Sequence, residues 1–94
     1  MRFRELDDNG IKYTKVKDIN KILEKNNLHW LIDSEIEEAS IEVKNQTLIW
    51  NSGIFFAGNW HYGIFRNGEF YGVWENGIFE GGVFKGVFKS GIKS

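Results

Sequence analysis

The sequence predicts an α+β fold in which a small α/β capping unit, residues 1–39, leads into a glycine-aromatic β-repeat, residues 40–94. Of the 11 glycines 10 lie after residue 52, and of the 15 aromatics 12 lie at or after Trp50. The alternating and helical apolar patterns of the first half disappear where these residues begin. From there an aromatic stands two residues after a glycine eight times running: Gly53/Phe55, Gly58/Trp60, Gly63/Phe65, Gly68/Phe70, Gly72/Trp74, Gly77/Phe79, Gly82/Phe84 and Gly86/Phe88. A ninth unit, Gly91-Ile92-Lys93, loses the aromatic.

In the capping unit, "MRFREL" alternates and "DDNG" is a turn signal, so residues 2–6 and 11–16 are expected to form a hairpin. Asp18 is placed to cap a short helix in which Val16, Ile19, Ile22 and Leu23 recur at helical spacing, and Asn26-Asn27 supplies a polar stop. "LHWLID", residues 28–33, is an apolar run expected as a buried strand. Ser34 with Glu37 fits a capping box opening one helical turn through Ala39. "SIEV" and "TLIW", joined by "KNQ", then resume alternation as two strands.

A unit of about five residues matches neither helix nor ordinary strand. Glycine at this density costs a helix about 1 kcal/mol per residue. Each unit must therefore turn, with glycine at positive φ, and between turns each glycine and its aromatic point to one side of a short extended segment. Ile54, Asn59, Ile64, Glu69, Val73, Ile78, Val83, Val87 and Ile92 point to the other. A short β-solenoid satisfies this, with four units per coil stacking Trp50 over Phe70, Phe55 over Trp74, Trp60 over Phe79 and Phe65 over Phe84 in about two coils. A β-meander is the alternative.

The spacing small residue, x, aromatic, x, x resembles pentapeptide-repeat proteins, whose fold is a four-sided right-handed β-helix. Trp in the central position, Ile or Val where Asn or Asp is usual, and two four-residue units depart from that pattern. "FAGNWHYG" and "FYGVWENG" resemble the opening of MORN repeats, though the copies lie 14 residues apart, short for a MORN hairpin. Both resemblances imply a β-repeat. The first also implies a DNA-mimic reading for an acidic surface.

Chemistry is sparse. With no cysteine there is neither a disulfide framework nor a thiolate zinc site, and a reducing, cytoplasmic setting is expected. His29 and His61 are the only histidines, no serine lies in a nucleophile motif, and no glycine array ends as a phosphate loop, so a non-enzymatic protein without cofactor or metal is expected. A net charge of −1 supplies no field to draw nucleic acid or a membrane surface, and there is no apolar run of membrane-spanning length.

Candidate interaction residues fall into three sets. Asp33, Glu35, Glu37, Glu38 and Glu42 form an acidic run suited to a basic partner, or else a solvated helical turn. Phe56, Tyr62 and Tyr71 lie off the aromatic ladder and are expected at the surface. Lys89 and Lys93 belong to a basic C-terminal end, where only "KSGIKS" is available to cover an open coil. The expected function is structural or adaptor, by self-association or contact with a partner protein at a solenoid end. Small size and a short repeat fit a viral protein, in host cytoplasm or virion. An inhibitor acting through the acidic face and a carbohydrate or small-ligand binder using surface aromatics are the other readings.

Overall fold

The computed structural model describes residues 1–94. β1 (Phe3–Asp8) and β2 (Ile11–Tyr13) form the expected hairpin. Its two-residue turn needs positive φ twice, at Asn9 (51°) and Gly10 (99°), the two residue types that tolerate it best. α1 (Val16–Lys25) buries Ile19, Ile22 and Leu23 at the predicted spacing. It begins earlier than expected: Lys15 is the N-cap, without a side-chain bond, and Asp18 sits inside the first turn. Asn26 closes it by donating from its carboxamide to the Ile22 carbonyl at 2.8 Å.

Two expectations fail together at residues 28–39. "LHWLID" forms a short helix, α2 (His29–Ile32), and Glu35–Lys44 forms a strand, β3. Ser34 is the reason. Its hydroxyl donates backward to the Trp30 carbonyl at 2.6 Å, closing α2, and does not cap a following helix. The Arg2 guanidinium donates to carbonyls at and just past the end of α2, reaching Ile32 O at 2.9 Å and Ser34 O at 2.7 Å. β3 then contains a bulge, with Glu38 at φ 54°, that shifts its inward residues from Ile36 to Ala39, Ile41 and Val43 and hides the alternation. β1 lies parallel to β3, and β3 pairs antiparallel with β4 (Thr47–Ala57) across a turn at Asn45 and Gln46.

The repeat is a solenoid; every strand pair within it is parallel, which excludes the meander. β5 to β12 are Asn59–Trp60, Ile64–Phe65, Glu69–Phe70, Val73–Trp74, Ile78–Phe79, Val83–Phe84, Val87–Phe88 and Ile92–Lys93. The coil has three sides, not four. The first comprises Ile49–Trp50 of β4, then β6, β9 and β12; the second Ile54–Phe55 of β4, then β7 and β10; the third β5, β8 and β11. Register therefore advances 15 residues from Ile49 to Ile64 and 14 from Asn59 to Val73, and the coils number about three.

Three aromatic columns fill the interior. Trp50, Phe65 and Phe79 stack at 5.5 and 4.9 Å; Phe55, Phe70 and Phe84 at 4.7 and 5.2 Å; Trp60, Trp74 and Phe88 at 5.0 and 6.3 Å. Rings are near parallel within a column and edge-on between columns, as at Phe65–Phe70 (87°), so each face meets a face and each edge a face. Trp50, Phe55, Trp60, Phe65, Phe70 and Trp74 are fully buried and share one core cluster with Phe3, Leu6, Leu23 and Leu31. Glycine leaves room for this stack. A Cβ on Gly72 would stand 2.7 Å from both the Gly58 carbonyl and the Phe55 ring. No helix is long and apolar enough to cross a membrane.

Candidate functional site

The two ends of the solenoid are finished differently. At the upper end β3 caps two of the three sides. Its Ile41–Lys44 half pairs over the first side and its Glu35–Glu37 half over the second. The bulge at Glu38 sits where β4 turns the corner at Gly53, whose missing Cβ would stand 2.6 Å from the Glu38 carbonyl oxygen. The third side receives no capping strand. α2 covers it, setting Trp30 edge-on to Trp60 at 5.1 Å and packing Ser34 against Gly58.

Beside α2 this arrangement leaves an open groove of about 520 Å³ above β5, lined by Asn27, His29, Trp30, Asp33, Asn59 and His61. It brings together the two histidines, which the sequence separates by 31 intervening residues. His61 is exposed and lies flat on Trp30 at 5.4 Å with the planes 3° apart. Nothing in the local sequence marks this site, because it arises from a strand that is not there.

The acidic run does not form one face. Asp33 is the C-cap of α2 and borders the groove. Glu35 and Glu37 point outward from β3, and Glu38, on the bulge, lies 3.7 Å from the Met1 amino group. Glu42 is turned to a neighbouring surface, where it accepts from Asn51 at 2.7 Å and faces Lys44 at 3.6 Å and Arg66 at 3.9 Å. Only Asp33, Glu35 and Glu37 of the set are without an ion pair.

Phe56, Tyr62 and Tyr71 are surface residues, as expected. Phe56 and Tyr71 stack at 6.2 Å on one corner of adjacent coils, while Tyr62 packs edge-on to Trp30 on another. The Tyr71 hydroxyl donates to Glu69 at 2.6 Å, and this bond, with the carboxylate's charge, raises the phenol above its ordinary pKa.

At the lower end β10, β11 and β12 have strand partners on one edge only. In the coil above, Gly68, Phe70, Gly72 and Trp74 accept amides from Val83, Lys85, Val87 and Lys89 at 2.8 to 3.0 Å. The equivalent carbonyls of Gly82, Phe84, Gly86 and Phe88 receive none. Outward on the three sides stand Val83, Val87 and Ile92, exposed by 43, 57 and 61%. Lys93 occupies the aromatic position and holds its ammonium 4.8 Å from the Phe84 ring and 5.7 Å from Phe88. Lys89 pairs with Glu75 at 3.7 Å. Lys89 and Lys93 thus belong to one open end, remote from the acidic residues of β3. The sequence placed these three β-branched residues on the side opposite the aromatics, without marking them as part of an end surface.

Comparison with protein-family models, with curated proteins and with solved structures finds no match to this chain.

Proposed function

We propose that this chain is a non-enzymatic structural or adaptor protein that works by protein-protein contact through the open end of its solenoid, self-association being the simplest form. The observation that carries this reading is the last coil. It combines unpaired backbone carbonyls, three outward apolar side chains and two half-buried rings, Phe84 and Phe88, under a single lysine. Unpaired edges and apolar ends of this kind are the surfaces that repeat proteins must cover or use.

Two such ends facing one another bring Lys93 against its own copy, so added salt should strengthen the contact by screening that repulsion. Size-exclusion chromatography with light scattering, over a range of protein and salt concentrations, tests this. A mass rising above 10.9 kDa with concentration, and more so at high salt, is expected. A constant monomer mass overturns self-association.

The alternative reading, an inhibitor acting through an acidic face, draws support only from Asp33, Glu35 and Glu37, since Glu42 is neutralised by Lys44 and Arg66. The likeness to pentapeptide-repeat proteins rests on the small-residue and aromatic spacing. The three-sided coil sets it apart from the four-sided form that the likeness implies.

A further inference from the structure

The groove above β5 occupies the place of a missing strand, and its free hydrogen-bonding groups say what fits there. Within the third side, Val73 and Glu75 donate their amides upward to the Gly58 and Trp60 carbonyls at 2.9 and 2.8 Å, and Val87 and Lys89 repeat this one coil below. By the same register the amides of Asn59 and His61 point upward out of the first coil. On the other two sides β3 receives the groups in this position. Here neither amide has a partner in the protein, and both residues line the groove. In parallel pairing the amide and carbonyl of one residue project to the same edge, so β5 offers amide, carbonyl and amide in sequence. That is the pattern of a bare sheet edge.

The geometry points to a peptide-binding groove, in which an extended segment of a partner protein carrying a basic side chain adds to β5 as β3 adds to the adjoining sides. Main-chain bonds to Asn59 and His61 supply the register, as in other cases of strand addition. The stacked Trp30–His61 pair forms an aromatic wall. Asp33 at the rim, with Glu35 just beyond it, has no cation in the protein and is available to a lysine or arginine of the segment. The site is at the opposite end of the solenoid from the proposed self-association surface and does not depend on it.

A variant separates main-chain from side-chain recognition. Proline at 59 removes an amide that makes no internal bond, and proline is tolerated on sheet edges where its nitrogen faces outward. Alanine at 59 keeps the amide and removes only the side chain. The experiment pans phage-displayed random heptapeptides against the full chain, then titrates an enriched peptide and its backbone N-methylated form while observing amide NMR signals. Enrichment of lysine- or arginine-containing sequences is expected, with shifts concentrated at Asn59 and His61. Asn59→Pro should weaken binding about 2- to 10-fold. Asn59→Ala, which keeps the amide, should bind more tightly than Asn59→Pro, and the N-methylated peptide should fail to bind. Far-ultraviolet circular dichroism checks that Asn59→Pro is folded; if it is not, His61→Pro read against His61→Ala, which also lacks the imidazole but keeps the amide, serves the same purpose at the second amide. No enrichment, shifts centred elsewhere, or full affinity in a folded proline variant overturns the proposal.

Discussion

The upper and lower ends of the solenoid are built from one repeat and differ in how the outermost rings are covered. Above, Trp50, Phe55 and Trp60 are fully buried because β3 and α2 close over them. Below, Phe84 and Phe88 occupy the corresponding column positions and are half-buried, with one ammonium as cover. A stack of rings has no intrinsic terminus, so the chain supplies one. A strand with a bulge and a helix make a closed end, whereas a charged side chain in the aromatic position makes an end that resists stacking without being sealed.

Truncating a ring should separate the two ends most clearly. Trp60→Ala and Trp74→Ala each remove a fully buried indole and should cost about 3–5 kcal/mol, most of the stability of a domain this small. Phe88→Ala, in the half-covered last layer, should cost about 1 kcal/mol. Urea melts of the three variants measure the ratio. Equal losses would mean that the last coil is as well covered as the first.

Glycine substitutions sharpen the comparison between stacked coil and hairpin. Gly72→Ala forces a methyl into the Gly58 carbonyl and the Phe55 ring, neither free to move, and should cost about 3 kcal/mol. A Cβ on Gly10 meets nothing within 4 Å, so the cost of Gly10→Ala should come only from its φ of 99°, about 1–2 kcal/mol. Thermal unfolding of the pair checks this order.

Lys93→Phe probes the terminator itself. It continues the Trp50, Phe65, Phe79 column by one ring and removes the charge over Phe84 and Phe88. Little change in stability is expected, but self-association should appear at lower protein concentration and lose its salt dependence. Sedimentation velocity at low and high salt reads both effects.

Much of this was legible in the sequence, including more than the spacing of glycine and aromatic alone. The ladder, its inward rings and the outward Ile and Val residues follow from alternation. The coil length was present too: the two four-residue units, Gly72/Trp74 and Gly86/Phe88, fall 14 residues apart, as do "FAGNWHYG" and "FYGVWENG". Fourteen residues hold three units, and the short unit recurs at the same corner of the second and third coils, where the first coil has five residues from Phe55 to Trp60. The expectation of four units per coil ran against this 14-residue recurrence, which the three-sided coil follows.

The features that were not legible depend on distant contacts. Ser34 with Glu37 three residues later reads as a helix start, yet the hydroxyl is bonded to the Trp30 carbonyl and the segment is drawn into a strand by Phe55 and Ile54 across the sheet. A four-residue helix such as α2 carries no usable periodicity. The bulge at Glu38 breaks the alternation that would have announced β3, and its position is dictated by a corner of β4. The groove reflects a pairing that does not occur, which no local pattern encodes.

Residue-resolved hydrogen exchange at low and high protein concentration tests most directly whether the open end is the contact surface. The amides of Val73, Glu75 and Ile78, bonded within the closed part, should be equally protected at both concentrations. Those of Val87, Lys89 and Ile92 should exchange faster when dilute and gain protection as concentration rises. Protection in the last coil that matches the middle coil and ignores concentration would contradict an open, associating end.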